Sequence, residues 1–189
     1  MSPKERLYRF RSFWIFPPIA LVVLNLAFRA EPQSSRIDLL WLFLLGMVIW
    51  TLLEYGLHRF VFHIQVPPQN PRLRNLVNAI HLGHHSSPRD AMKVLVRPVY
   101  ALAVSAVLYG ILDLVSSSLF VSAGIMAGTW AGFLYYEAVH YRVHFSLSPS
   151  GIISRQRRAH FHHHFTNNRR CFGVTSPLWD HVFGTALPK

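Results

Sequence analysis

The sequence has little of three things: cysteine, acidic residues and charge of either sign. A single cysteine among 189 residues excludes a disulfide framework and any zinc module built from cysteines. Charged residues make up 14% of the chain, with 8 Asp and Glu against 19 Lys and Arg. A soluble nucleic-acid-binding protein can have a net charge of +11, but it rarely has so little charge in total. We therefore expect no nucleic-acid partner. The 51% hydrophobic content also excludes a disordered basic tail.

Four uncharged, apolar runs occupy much of the chain instead. A helix needs about 20 apolar residues to cross a bilayer core. The run at 114–136 is long enough by itself, whereas those at 39–53 and 98–112 need a few flanking polar residues. Four such helices could not all be buried in a soluble protein of this size. The sequence therefore predicts an all-α integral membrane protein with about four transmembrane helices. The predicted spans are at about 13–29, 38–57, 97–113 and 115–137.

The first of these runs is the least regular. Pro17 and Pro18 would kink a helix near its start, so a re-entrant or interfacial segment is an alternative to a full span. The basic residues before the run also resemble the start of a signal peptide, but no small-residue cleavage site precedes Arg29. We interpret the run as a retained membrane anchor.

The basic residues are concentrated in three places: the first eleven residues, the connection after the second run, and the segment after the fourth run. The two other connections contain few basic residues. Because cytoplasmic loops are enriched in Lys and Arg, this pattern predicts that both termini are cytoplasmic. We expect a single domain over 1–189, in which 58–96 and 138–189 form a cytosolic helical cap.

Ten of the twelve histidines stand in four closely spaced groups. Residues three and four apart share one face of a helix, so each His-x-x-His-His triplet can direct its rings at one point. Imidazole binds zinc, copper, iron and nickel, and ten imidazoles exceed what one ion can hold. We predict two metal ions with about five nitrogen ligands each, and no ligand role for His162 or His181. The predicted ligands are His58, His63, His81, His84, His85, His140, His144, His160, His163 and His164.

Three carboxylates are candidates to support these ligands. A metal-bound histidine usually donates its second ring N–H to a carboxylate or a carbonyl. Glu54 and Glu137 stand one helical turn before predicted ligands, and Asp180 lies in the C-terminal segment. Two alternatives stay open: Glu137 as an interfacial carboxylate, and Asp180 as a helix cap or an arginine partner.

The order of the histidines resembles that of the fatty acid hydroxylase/sterol desaturase superfamily of integral-membrane, non-haem di-iron enzymes. Within it, the chain is most similar to the fatty acid 2-hydroxylase branch. The resemblance extends over about Trp50 to Leu187, and His162 departs from it because the family often has a basic residue there. The closer match rests on Glu54-Tyr55, Tyr136-Glu137, Phe172-Gly173-Val174, Leu178-Trp179-Asp180 and Phe183-Gly184-Thr185.

The resemblance implies that the ten histidines hold two iron ions, which zinc could replace in purified protein, and that O2 is a co-substrate. The implied reaction hydroxylates a membrane lipid, at carbon 2 of a fatty acid or of a sphingolipid acyl chain. Carotenoid hydroxylation and sterol-type desaturation stay open within the superfamily. A membrane metal-binding or transport protein stays open outside it.

The source of electrons is a separate expectation. Eukaryotic 2-hydroxylases often carry an N-terminal cytochrome b5 domain, whereas about eleven residues precede the first run here. We therefore expect a separate electron donor, such as cytochrome b5 or a ferredoxin with its reductase. For the same reason we favour a bacterial inner membrane over the endoplasmic reticulum.

Overall fold

The computed structural model describes residues 10–148 and 150–188. Lys4, Arg6 and Arg9, on which part of the predicted topology rests, lie outside these residues. The chain divides into two compact units, Met1–Trp50 with Arg97–Leu134 and Thr51–Val96 with Tyr135–Lys189. The expectation of a single domain over 1–189 stays a prediction.

All regular secondary structure in the described residues is helical, which confirms the all-α prediction. Two π-helical turns, Leu57–Phe62 and Asn78–Leu82, follow directly on α-helices. The nine α-helices of the described residues are α1 (Arg11–Ala30), α2 (Arg36–Gly56), α3 (Pro71–Val77), α4 (Gly83–Ser86), α5 (Ala91–Val94), α6 (Pro98–Ser116), α7 (Leu119–Phe145), α8 (Gly151–Phe165) and α9 (Leu178–Val182).

Four of the described helical segments are long and apolar enough to cross a membrane, which confirms the predicted number of spans. The first is a continuous helix, although Pro17 and Pro18 lie within it. The fourth continues to Phe145, well past the predicted end at 137. Beyond 137 the helix passes through a mixed stretch of polar and apolar residues, in which Val139, His140 and Val143 are buried. The four segments are Arg11–Ala30, Arg36–Phe62, Ala91–Ser116 and Leu119–Phe145.

In the first unit, α7 packs against the three other long helices. It approaches α2 so closely at Gly128 that an added Cβ would lie 1.9 Å from the carbonyl oxygen of Phe43. It meets α1 where the fully buried Phe16 packs on Trp130, with ring centroids 5.8 Å apart. It meets α6 where the Trp130 indole N–H donates to the Ser105 hydroxyl at 2.8 Å. The first half of α7 therefore forms the centre of this unit.

The second unit contains all ten histidines predicted to bind metal. Arg157 of α8 donates to three carbonyl oxygens near the end of α7, those of Val143 at 2.6 Å, Ser146 at 2.7 Å and Arg142 at 3.3 Å. Because the last carbonyls of a helix have no partner within it, this arginine caps α7 and ties α8 to it. Glu137 of α7 accepts a hydrogen bond from the Val96 N–H at 2.8 Å, which fixes the chain just before α6.

Candidate metal centre

The ten histidines form two groups of five. In each group, one ring nitrogen from every histidine lies within 4.8 Å of the others. His162 and His181 belong to neither group. The first group is His58, His63, His81, His85 and His163, and the second is His84, His140, His144, His160 and His164.

The structure divides each His-x-x-His-His triplet between the two groups. His81 and His85 belong to the first group and His84 to the second, while His160 and His164 belong to the second and His163 to the first. Helix geometry explains this division. A residue four positions on is rotated by about +40°, and one three positions on by about −60°. The side chains at i+3 and i+4 therefore point to different groups. From the sequence we predicted that all three histidines of a triplet point to the same place.

The first π-helical turn explains the spacing of His58 and His63, which does not fit one face of an α-helix. His58 and His63 are five residues apart, which would place them on different sides of an α-helix. The turn Leu57–Phe62 is π-helical, and its wider turn closes over five residues. Both histidines therefore join the same group. The His-x4-His spacing in the sequence matches the i, i+5 hydrogen-bond spacing of a π-helix, so this turn could have been predicted.

In the second group, three ring nitrogens converge on a fourth. The Nε2 atom of His160 lies 3.0 Å from Nε2 of His140, 2.9 Å from that of His144 and 3.0 Å from that of His164. A ring nitrogen has at most one hydrogen, so it cannot donate to all three. Two nitrogens bound at about 2.1 Å to a common ion, at right angles, would be about 3.0 Å apart. The separations therefore fit ligands that share one metal ion.

The first group shows the same spacing, and two backbone carbonyls orient its rings. Nε2 of His63 and Nε2 of His163 are 2.9 Å apart. The Nδ1–H of His58 donates to the carbonyl of Phe172 at 2.5 Å, and that of His163 to the carbonyl of Arg170 at 2.7 Å. Because a carbonyl can only accept, the hydrogen of both rings lies on Nδ1 and the lone pair on Nε2. In the described residues, the buried Nε2 of His58 has no hydrogen-bond partner.

The candidate carboxylates Glu54 and Asp180 hold the segment that provides these carbonyls. Glu54 accepts hydrogen bonds from the N–H groups of Val174 at 2.6 Å and Thr175 at 2.8 Å, and from the Thr175 hydroxyl. Asp180 accepts hydrogen bonds from the N–H groups of residues 172 and 173, which come just before Val174, at 2.9 and 2.8 Å. Four consecutive amides thus bind two buried carboxylates. The supporting carbonyls, which sequence reasoning did not identify, depend on this arrangement.

Burial lowers the pKa of candidate ligands outside the membrane spans and keeps them neutral. It lowers the pKa of His63 and of His163 to about 4. Burial lowers the pKa of His85 to about 3, with a further contribution from positive charge on His163 and His63. Histidines with such pKa values are unprotonated near neutral pH, so a metal ion would have no proton to displace from them.

A helical protein with four candidate membrane spans and ten clustered imidazoles belongs to a class suited to holding two transition-metal ions. The particular family follows from comparison with known proteins. The family model described as fatty acid hydroxylase matches residues 43–185, and the chain belongs to this family.

Individual relatives confirm the resemblance to the 2-hydroxylase branch. The chain is 38% identical to the fatty acid 2-hydroxylase of Rattus norvegicus over 160 residues, which are 84% of this chain and 42% of the rat protein. It is 30% identical to the dihydroceramide fatty acyl 2-hydroxylase FAH2 of Arabidopsis thaliana, over 92% of this chain and 73% of that protein.

The solved structure of full-length Scs7p, in which only the hydroxylase domain is visible, superimposes with a TM-score of 0.81 at 30% identity. That similarity covers 93% of this chain and 66% of Scs7p. The chain spans less than half the length of the rat relative.

Proposed function

We propose that this chain hydroxylates lipid acyl chains at carbon 2, on a fatty acid or on the acyl chain of a sphingolipid. The observation that carries this proposal is the pair of five-histidine groups in a member of the fatty acid hydroxylase family. The position on the acyl chain is supported by the names of the rat and Arabidopsis relatives, which are both 2-hydroxylases.

The proposed cofactor is one iron ion in each histidine group. When bound, the two ions would supply the redox chemistry by which O2 oxidises a C–H bond. In the balanced reaction, one oxygen atom enters the substrate and the other leaves as water, with the uptake of two electrons and two protons. We propose that the electrons come from a redox protein of the cytochrome b5 or ferredoxin type.

The chain itself would place the ligands and exclude water. Six of the ten candidate ligands are at most 4% exposed: His58, His81, His84, His140, His160 and His163. The 170–175 segment would fix which ring nitrogen of His58 and His163 faces the metal. Such support for metal-bound histidines commonly changes metal affinity by about 10- to 100-fold.

We also propose that both histidine groups lie on the cytoplasmic side of the membrane, with both chain termini on that side. The charge distribution supports this orientation, since Arg72 and Arg74 follow the second span and Arg155 and Arg158 follow the fourth. The rat and Arabidopsis relatives are eukaryotic, and they do not support the preference for a bacterial inner membrane.

Lipid mass spectrometry of cells that express the chain tests the reaction. We expect acyl chains with one added oxygen atom, located at carbon 2 by fragmentation and derived from isotopically labelled O2. A His85→Ala variant should abolish the product. A His162→Ala variant, which changes a histidine outside both groups, should retain it. An unchanged lipid profile in aerobic cells that contain the metal-loaded protein would refute the proposal.

A further inference from the structure

The first unit contains an apolar groove of about 560 Å³ between α1, α2 and α7. Its volume lies within the range of small-molecule sites, about 300–1,000 Å³. Each helix lines the groove with residues spaced i, i+3, i+4 and i+7, which form one face of a helix. These residues are Pro17, Ala20, Leu21 and Leu24 of α1, Arg36, Leu39, Leu40 and Phe43 of α2, and Ala127, Trp130, Ala131 and Leu134 of α7.

The floor of the groove is rigid and apolar. Phe16, with 0% exposure, packs on Trp130, with 8% exposure. The indole N–H of Trp130 is already bound to Ser105, so it does not face the groove as a free donor. The rim includes Leu21 and Leu40, which are 70% and 53% exposed. An open apolar groove in a membrane does not hold water, since apolar cavities stay dry. A hydrocarbon chain is therefore the occupant that this lining suits.

Arg36 is the charged member of this lining. It is the first residue of α2, where the apolar run begins. It forms no ion pair or hydrogen bond with any residue that the structure describes. The nearby Glu31 accepts hydrogen bonds from Ser118 and from the N–H of Phe120. Asp38 stands two residues further along α2, on a different face of the helix. The guanidinium is thus available to an anion at the end of the groove.

The groove is long enough for the acyl chain of one leaflet. On α2 its lining runs from Arg36 to Phe43, a rise of seven residue steps. On α7 it continues from Gly128, which contacts Phe43, to Leu134, a rise of six steps. At 1.5 Å per residue these two stretches add up to about 20 Å. One leaflet contributes half of a hydrocarbon core of about 30 Å.

We propose that this groove binds one anionic phospholipid, with an acyl chain between α1, α2 and α7 and the phosphate at Arg36. The proposal does not rest on the proposed hydroxylation, because its lining residues belong to the first unit and the candidate metal ligands to the second. A negative result for phospholipid binding therefore does not bear on the proposed hydroxylation, and a negative result for hydroxylation does not bear on phospholipid binding.

Native mass spectrometry of the purified full chain in detergent tests this site. The probes are phosphatidylglycerol and phosphatidylcholine with identical acyl chains. We expect one phosphatidylglycerol to be retained with about fivefold preference, since an exposed pair between one arginine and one anionic headgroup contributes up to about that factor. Arg36→Gln should remove the preference. Arg29→Gln is the matched control, because Arg29 is exposed at the end of α1 and does not line the groove.

A second variant tests the hydrocarbon part of the site. Ala131→Phe should fill the groove and weaken the binding of both lipids, and its thermal unfolding would show whether the fold is kept. Equal retention of the two lipids by the wild-type chain would overturn the proposal, as would equal losses in the Arg36 and Arg29 variants. Displacement of phosphatidylglycerol by an equimolar free fatty acid would also overturn it, because a fatty acid would then be the preferred occupant.

Discussion

Replacing Glu54 with alanine should loosen the 170–175 segment and with it the first histidine group. Glu54 is 4% exposed and accepts hydrogen bonds from the Val174 and Thr175 amides and from the Thr175 hydroxyl. Each buried amide left without a partner costs about 1–3 kcal/mol, so the two amides together cost roughly 2–6 kcal/mol. Asp180 alone would then hold the segment, through the amides of 172–173, and the Phe172 carbonyl would orient the ring of His58 less firmly. We therefore expect the first group to bind its ion about 10- to 100-fold more weakly than in the wild type, while the second group keeps its affinity.

Glutamine at the same position is the matched control. Both amides bind the same oxygen, Oε1 of Glu54, and a glutamine carbonyl can accept both. The glutamine NH2 group can donate to the Thr175 hydroxyl, which then acts as acceptor. The loss should be about 1 kcal/mol, the difference between a charged and a neutral acceptor. Asp113→Asn, at an exposed acidic residue, controls for the change in charge.

The assay combines chemical unfolding of the metal-loaded protein with metal analysis of the same samples. A Glu54→Ala variant that unfolds like the wild type and binds both ions as tightly would show that Glu54 does not support the first histidine group. Equal losses in the alanine and glutamine variants would also refute it, because charge rather than hydrogen bonding would then be decisive.

Three further predictions concern the same site. His163→Ala should remove bound metal while His162→Ala should retain it, and equal losses in metal analysis would contradict the ligand assignment. Gly173→Ala should destabilise the protein and lower its metal content, because the added Cβ would lie 2.1 Å from the carbonyl oxygen of Ser176; unchanged unfolding and metal content would count against this. The metal-free protein should lose stability as the pH falls from about 6.5 to about 4, because the unfolded chain takes up protons before the buried His63 and His163 do. Unfolding free energies that stay constant across that window would contradict this last prediction.

Hydropathy predicted the number of spans. The second predicted span, 38–57, corresponds to α2 (Arg36–Gly56), and the third, 97–113, to α6 (Pro98–Ser116). The fourth predicted span ended at 137, since polar residues such as His140 and Arg142 lower the hydropathy, whereas the helix continues to Phe145. The sequence could not show the groove beside Arg36, because a groove depends on how three helices pack.

The histidine spacing identified the ten histidines that lie together in the structure, but it did not show which histidine belongs to which of the two groups. His81 and His85 separate from His84 because the rotation between i+3 and i+4 matters once two groups lie side by side. The carbonyls of Phe172 and Arg170 could not be identified from residue types, since every residue has a carbonyl. Their positions depend on long-range hydrogen bonds to buried carboxylates.

Metal analysis of the purified chain, after reconstitution with ferrous iron, measures whether the two histidine groups each bind an ion. We expect about two ions per chain in the wild type, and about one in a variant that lacks His84 or in one that lacks His58. A correctly folded wild-type chain that holds one ion or none would contradict this expectation.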